Sequence, residues 1–374
     1  MNRILIAISL IINFIFMMLT TLLPILVFNI TRSTTDVGGV LTVFMISLLL
    51  VRIISLKRYM DPVLAVVAGC ILFFCGFLLL FYFQKNLIVF YGGSILFGVS
   101  IGLVPPAILT LLTREASESK KNISMYNLII AFASASAPFV GEVMYKDFTK
   151  TLFGFWICSA FAMSVLATYL LFKDKPKNKK IIQVKQEELS IFKDLRSYGQ
   201  QFLPLLFSSI SYGAIVTYLP IYFDEFGYSI GIYYFLFWVA YVAVQYLRSI
   251  TNRLNANRRR GLLLILAGCA SSLLLLSFIS NVLIVYFSGF CYGFMYGLIY
   301  NVFYMEASNI KDERVKNNTY AIIGLMSYIG VGLAPSLLKP FLFEGVKYIF
   351  AFSVIYILLA MIIFTIFRRG TGKE

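Results

Sequence analysis

Gly98-Val99-Ser100-Ile101-Gly102 and Gly293-Phe294-Met295-Tyr296-Gly297 each run on to the same tripeptide, Glu115-Ala116-Ser117 in the first case and Glu306-Ala307-Ser308 in the second. The likeness extends both ways. Ala68-Gly69-Cys70 stands ahead of the first stretch and Ala267-Gly268-Cys269 ahead of the second, while Ala137-Pro138 follows the first and Ala334-Pro335 the second. Arg52 and Arg248 each close a long apolar run ahead of these motifs. The order is the same in both copies, and their separation stays between 191 and 199 residues in a chain of 374. One unit has been used twice, each copy filling about half of the chain, the arrangement of transporters built from internal repeats.

The unit belongs in a bilayer. Hydrophobic residues make up 60% of the chain and charged residues 13%, with a mean hydropathy of +0.86. A soluble fold could not bury that much apolar surface. Twelve apolar runs recur, near 4–28, 37–56, 62–84, 87–113, 122–145, 152–172, 201–223, 228–250, 260–280, 282–305, 317–343 and 346–367. Each is long enough to span the hydrocarbon layer as a helix. The fifth and eleventh contain prolines, which membrane helices tolerate. The expected fold is all-α and integral to the membrane: two pseudo-symmetric six-helix bundles, 1–172 and 201–374, joined by a charged cytoplasmic linker, 173–200.

The net charge of +15 would suit nucleic acid if it were spread over one surface. It is not. With the N-terminus inside, the outer loops hold only Arg32, Lys85, Lys146, Lys150, Lys339 and Lys347 of the 32 basic residues, balanced by six acids. All the basic excess falls on the inner side, as the positive-inside rule requires. Nucleic acid is excluded as a partner, and both termini are expected in the cytoplasm. The first apolar run follows a single Arg3, is too long for a signal core and has no small-x-small cleavage site. Cys70, Cys75, Cys158, Cys269 and Cys291 all fall within spans and read as small packing residues rather than as a disulfide framework. Within the linker, Lys173-Asp174-Lys175-Pro176-Lys177 opens a basic tether. Residues 187–195 could form a short amphipathic helix on the inner leaflet.

Twelve spans in two halves with a long charged inner loop resemble the major facilitator superfamily, and the resemblance covers essentially the whole chain. Its drug and metabolite exporters carry a Gly-rich loop with Arg and Asp between spans two and three. Here that loop reads Arg52-Ile53-Ile54-Ser55-Leu56-Lys57-Arg58-Tyr59-Met60-Asp61, with the glycine missing. The exporters also carry Gly-Pro-x-x-Gly in span five; this chain has Ala137-Pro138-Phe139-Val140-Gly141. The resemblance implies export of a small amphipathic molecule, a drug or a secreted metabolite such as a metallophore, by alternating access and proton antiport. A proton-linked importer and a lipid flippase on the same fold stay open. The richness in Ile, Phe, Lys, Asn and Tyr fits an AT-rich genome, so a bacterial plasma membrane is the expected location, and no cofactor is expected. A monomer is the expected working unit, with a small-molecule substrate, protons and the bilayer as its partners. No Gly-x-x-x-x-Gly-Lys loop, serine elbow or histidine is present, so neither an ATP-driven pump nor an enzyme is expected.

Some residues stand out as mechanism candidates. Arg52 with Glu115 and Arg248 with Glu306 occupy equivalent inner-side positions in the two copies. They read as gating salt bridges that can be made and broken at modest net cost, or as ordinary interfacial charges. No acid sits at the centre of any span, so the proton-coupling candidates are Glu142, just after Pro138 and Gly141, and Asp224-Glu225 at the end of span seven. Glu142 also reads as an i,i+4 partner of Lys146. In span ten, Gly289, Gly293 and Gly297 form one stripe and Tyr292, Tyr296, Tyr300 and Tyr304 another. The glycines suit close helix packing. In the resembling family, spans one, four, seven and ten line the substrate cavity. That implies Tyr292, Tyr296, Tyr300 and Asn301, with Tyr212, Tyr218 and Asn13, as substrate contacts; interhelical packing is the other reading. Pro105-Pro106 in span four marks a hinge or a static bend.

Overall fold

The computed structural model describes residues 2–57, 60–112, 119–147, 149–173, 190–246, 258–308 and 313–370. Among them run twelve long helices: α1 Asn2–Thr31, α2 Thr34–Lys57, α3 Pro62–Phe83, α4 Leu87–Leu112, α5 Ser119–Asp147 and α6 Thr149–Lys173, then α7 Ser190–Phe226, α8 Ile230–Tyr246, α9 Arg258–Phe278, α10 Val282–Ser308, α11 Glu313–Leu338 and α12 Ile349–Gly370. Two short 3₁₀ turns, Lys339–Glu344 and Val346–Tyr348, join the last two. In hydrocarbon every backbone N–H and C=O must be satisfied within the protein, and a helix does this without help from neighbours. Among the described residues eleven helices are long and apolar enough to cross a membrane; the described part of α8 is apolar and shorter.

The chain divides into two compact units, 1–188 and 189–374. Inside the first, α1 packs on α5 and α6, α2 on α4, and α3 on α4 and α6. Inside the second, α7 packs on α11 and α12, α8 on α10, and α9 on α10 and α12. Shifting every number by six turns one pattern into the other, so the repeat seen in the motifs is also a repeat of packing.

The shared glycines show how. In the first unit a β-carbon at Gly98 would run into the Phe44 carbonyl on α2, and one at Gly102 would press on Val51 and the Leu48 carbonyl. In the second, a β-carbon at Gly293 would run into the Phe237 carbonyl on α8, and one at Gly297 would meet the Tyr241 carbonyl at 3.0 Å. Each pair lets two backbones meet where a side chain would hold them apart. Gly69 faces Val104 of α4, and Gly268 faces Met295 of α10, in the same relation.

The helix ends repeat too. α1 ends on Arg32 with φ 52° and α7 on Gly227 with φ 67°, two left-handed residues 195 positions apart. Around Gly227 the Tyr228 N–H reaches the Phe223 carbonyl at 2.9 Å and the Gly227 N–H the Asp224 carbonyl at 3.4 Å, the paired closure of a Schellman cap. Around Arg32 a single bond, from its N–H to the Phe28 carbonyl at 2.8 Å, closes the helix. Asn86 caps α4 by accepting from the Ile88 N–H at 2.9 Å, and Asn281, again 195 positions on, caps α10 from the Leu283 N–H at 3.0 Å. Asp61 caps α3, accepting from the N–H groups of Val63 and Leu64.

One segment differs from the sequence expectation. From Ser190 onward the residues assigned to the linker are continuous with α7 rather than a separate amphipathic helix. Nothing between Ser190 and Gln200 breaks a helix; Gly199 alone weakens it by about 1 kcal/mol relative to alanine. Residues 174–189, with the basic tether, lie outside the described residues.

Gly98→Val and Gly293→Val should each destabilise the purified protein by about 1–3 kcal/mol through overpacking, read as a lower thermal midpoint in detergent. Gly324→Ala, where an added β-carbon meets nothing within 4 Å, should leave the midpoint unchanged or raise it.

Candidate functional site

The glycine contact of α10 on α8 fixes what lies beside it. Tyr292 and Tyr296 flank Gly293, and both are buried, at 1 % and 3 % exposure. Their rings lie nearly parallel, 14° apart with centroids at 5.8 Å. Tyr212 of α7 stacks on Tyr296 at 4.8 Å and on Phe237 of α8 at 5.4 Å. Tyr300 meets Tyr296 edge-on at 5.2 Å, and Tyr241 of α8 meets Tyr300 at 6.0 Å. Trp238 closes this edge, 5.2 Å from both Phe237 and Tyr241. Offset and edge-on ring pairs of this kind add about 0.5–1.5 kcal/mol each beyond the area they bury.

A chain of hydroxyls runs through the rings. Ser209 of α7 bonds to Tyr296 at 3.1 Å and donates to Ser327 of α11 at 3.4 Å; Ser327 in turn bonds to Tyr300. Three helices therefore meet in four linked hydroxyls. Tyr292 is different: its hydroxyl is buried and has no hydrogen-bond partner among the described residues. Ser209 and Ser327 were absent from the sequence reading. The signal was present in Ser208-Ser209-Ile210-Ser211, a polar cluster on an otherwise apolar helix.

The first unit has nothing comparable at the matching positions. Counting back 195 residues from Tyr292, Tyr296 and Tyr300 gives Phe97, Ile101 and Pro105. Phe97 packs on Phe73 and Phe77 at 5.3 and 4.8 Å, and Trp156 stacks on Phe77 at 5.2 Å. One unit thus has an apolar ring core where its copy carries hydroxyls.

The remaining candidates scatter. Tyr218 is fully buried and donates to the Pro335 carbonyl at 3.3 Å, in the last turn of α11. Asn301 donates to the Val244 carbonyl of α8 at 3.3 Å. Asn13, in the first unit, bonds back to the Ser9 carbonyl at 2.8 Å on its own helix.

Glu142 is the single buried ionisable carboxylate among the described residues, at 6 % exposure, with Lys146 Nζ 2.7 Å from its Oε1. Its neighbour Gly141 lies against Met18 and Leu22 of α1, and Pro138 is buried beside Ala137 within α5. One turn on, Asn29 of α1 donates to the Tyr145 hydroxyl. Asp224 and Glu225 are exposed in the last turn of α7. Of the gating pairs, Arg52 is half-buried in α2 and Glu306 half-buried near the end of α10. Their partners Glu115 and Arg248 lie outside the described residues. Among the described residues no group of three metal-ligating side chains is found.

A family model described as Major Facilitator Superfamily matches residues 5–335. No curated protein matches the sequence significantly. Among solved structures, the nucleoside transporter NupG superposes with a TM-score of 0.78 at 9% identity, over 98% of this chain and 99% of that one. A POT family transporter in complex with 5-aminolevulinic acid gives 0.77 at 13% identity, over 100% and 96%. The same kind of transporter with a thioalcohol-conjugated peptide gives 0.76 at 13%, over 100% and 96%.

The hydroxyl chain makes opposite predictions for two tyrosines on one helix. Tyr296→Phe removes a buried hydrogen bond and should cost about 0.5–1.5 kcal/mol of stability in thermal unfolding of the purified protein. Tyr292→Phe removes a hydroxyl with no partner and should cost nothing or raise the midpoint.

Proposed function

The chain belongs to the major facilitator superfamily, and on that premise we propose that it exports small, uncharged, amphipathic organic molecules across the bacterial plasma membrane in exchange for protons. It is a multi-pass membrane transporter, not an enzyme. The observation that carries the cargo reading is the ring and hydroxyl cluster of Tyr212, Phe237, Tyr292, Tyr296 and Tyr300 with Ser209 and Ser327. Apolar walls with a few placed hydroxyls suit a partly polar organic molecule. A zwitterion or a cation would need a fixed counter-charge once out of water. None of the residues named in the cluster is ionised at neutral pH.

Export rests on Ala137-Pro138-x-x-Gly141, whose small residues pack α5 closely on α1. Proton coupling is assigned to Glu142. Its carboxylate is held in a buried site by Lys146, whose own side chain is half exposed. The inner-side pairs Arg52 with Glu115 and Arg248 with Glu306 are assigned as the contacts that break when the inner side opens. The distribution of basic residues supports both termini lying in the cytoplasm.

Energised cells of a pump-deficient bacterium expressing the chain should lose a neutral lipophilic dye faster than control cells, and a protonophore should abolish the difference. Glu142→Gln should then lower the efflux rate at least about tenfold, as expected for loss of a required proton carrier, with protein levels unchanged. Dye accumulation in place of efflux reverses the direction. Efflux that a protonophore leaves intact rejects the coupling.

A further inference from the structure

Glu142 is shut away by side chains of its own helix and of α1. A helical side chain leans back over the turn before its own Cα. Tyr145 and Lys146, three and four residues on, therefore lie over the turn of Glu142. The 2.7 Å contact from Lys146 Nζ to Glu142 Oε1 shows that lean directly. Lys146 is half exposed and covers the carboxylate from the water side. Tyr145 covers the same turn from the side of α1: its hydroxyl accepts from Asn29, and Gly141 beneath it faces Met18 and Leu22 of the same helix. Asn29 and Tyr145 are themselves only half-buried, whereas Glu142 is 6 % exposed. Water thus reaches the bond between α1 and α5 but not the carboxylate below it.

The cover belongs to one unit. Asn29 has its counterpart 195 residues on, at Asp224, the offset that relates Arg32 to Gly227. Glu142 and Tyr145 have theirs 197 residues on, at Lys339 and Leu342, the offset that relates Pro138 to Pro335. Asp224 and Lys339 are exposed, Leu342 has no polar side chain, and α11 has already ended at Leu338. Caps and glycine contacts survive in both copies, but this arrangement is found where the buried carboxylate is and not in its counterpart.

We propose that the bond from Asn29 to Tyr145 is a latch over Glu142. While it holds, Tyr145 keeps water from the carboxylate. When α1 and α5 part and the bond breaks, water and a proton reach Glu142 from that end of the unit. The proposal rests on Glu142 being the coupling carboxylate, and adds what controls its access. Asn29 and Tyr145 are positioning residues, acting through Glu142 rather than on the cargo.

The test is chemical access to the carboxyl. Full-length protein in lipid nanodiscs, open to water at both ends, is treated with a water-soluble carbodiimide and glycine ethyl ester, and the amide formed at each carboxyl is followed by peptide mass spectrometry. Glu142 should react more slowly than Asp224 and Glu225, which are exposed and serve as internal standards. Asn29→Ala and Tyr145→Phe should each speed the reaction of Glu142 about two- to tenfold, the worth of one hydrogen bond, and leave Asp224 and Glu225 unchanged. A merely structural bond would lower the thermal midpoint without singling out Glu142. Should Asn29→Ala fail to fold, Tyr145→Phe, which keeps the ring, gives the same comparison. An unchanged rate at Glu142 in both variants, or equal acceleration at all three carboxyls, overturns the proposal and leaves the coupling role of Glu142 standing. Efflux by Glu142→Gln at the unaltered rate removes that role instead, and faster labelling in the two variants would then still establish the latch.

Discussion

The close approach of α10 to α8 at Gly293 is the contact on which the C-terminal unit turns. Lipid tails are as apolar as leucine, so helices in a bilayer gain little from hiding hydrophobic surface against each other and depend on fit instead. Gly293 brings its own backbone against the Phe237 carbonyl. That approach brings Phe237 and Tyr292 ring to ring, with centroids 6.1 Å apart, and lets Tyr212 of α7 stack on both Phe237 and Tyr296. The packing device and the candidate site are thus one arrangement. A side chain at position 293 would alter the spacing of the rings before it altered any polar contact.

The same device in the first unit, Gly98 and Gly102 on α2, supports a different interior. Phe73, Phe77, Phe97 and Trp156 fill the matching space with rings that carry no hydroxyl. Duplication has preserved the helix contacts, the left-handed turns and the asparagine caps, while the chemistry enclosed by those contacts has diverged. Asymmetry between the units suits a transporter in which one half recognises cargo and the other couples it to an ion, the roles proposed for the ring and hydroxyl cluster and for Glu142.

Much of the fold was legible because a bilayer reduces it to one dimension. Apolar runs of helix-spanning length, basic residues on alternate loops and paired glycine motifs appear in the sequence without knowledge of any contact. The site was less legible. Tyr292, Tyr296, Tyr300 and Tyr212 do come together, as the spacing on α10 suggested. Asn13, Asn301 and Tyr218 spend their polar atoms on backbone carbonyls. A sequence lists donors but not the backbone carbonyls that come within their reach. Ser209 and Ser327 are 118 residues apart and acquire meaning only when α7 and α11 pack together. The turn at Arg32 was hidden for a different reason: its left-handed backbone is one that glycine would advertise and arginine conceals.

The proton-coupling role proposed for Glu142, the single buried carboxylate among the described residues, has an electrical consequence. An uncharged cargo crosses a membrane without working with or against the voltage, so any charge displaced in a cycle is the proton's. Under the proposed exchange, one such molecule for one proton, a net positive charge moves inward each turn. The membrane potential then contributes about 2.3 kcal/mol per 100 mV to driving export, on top of the pH difference. A cell with a collapsed pH gradient but an intact voltage would still run the cycle.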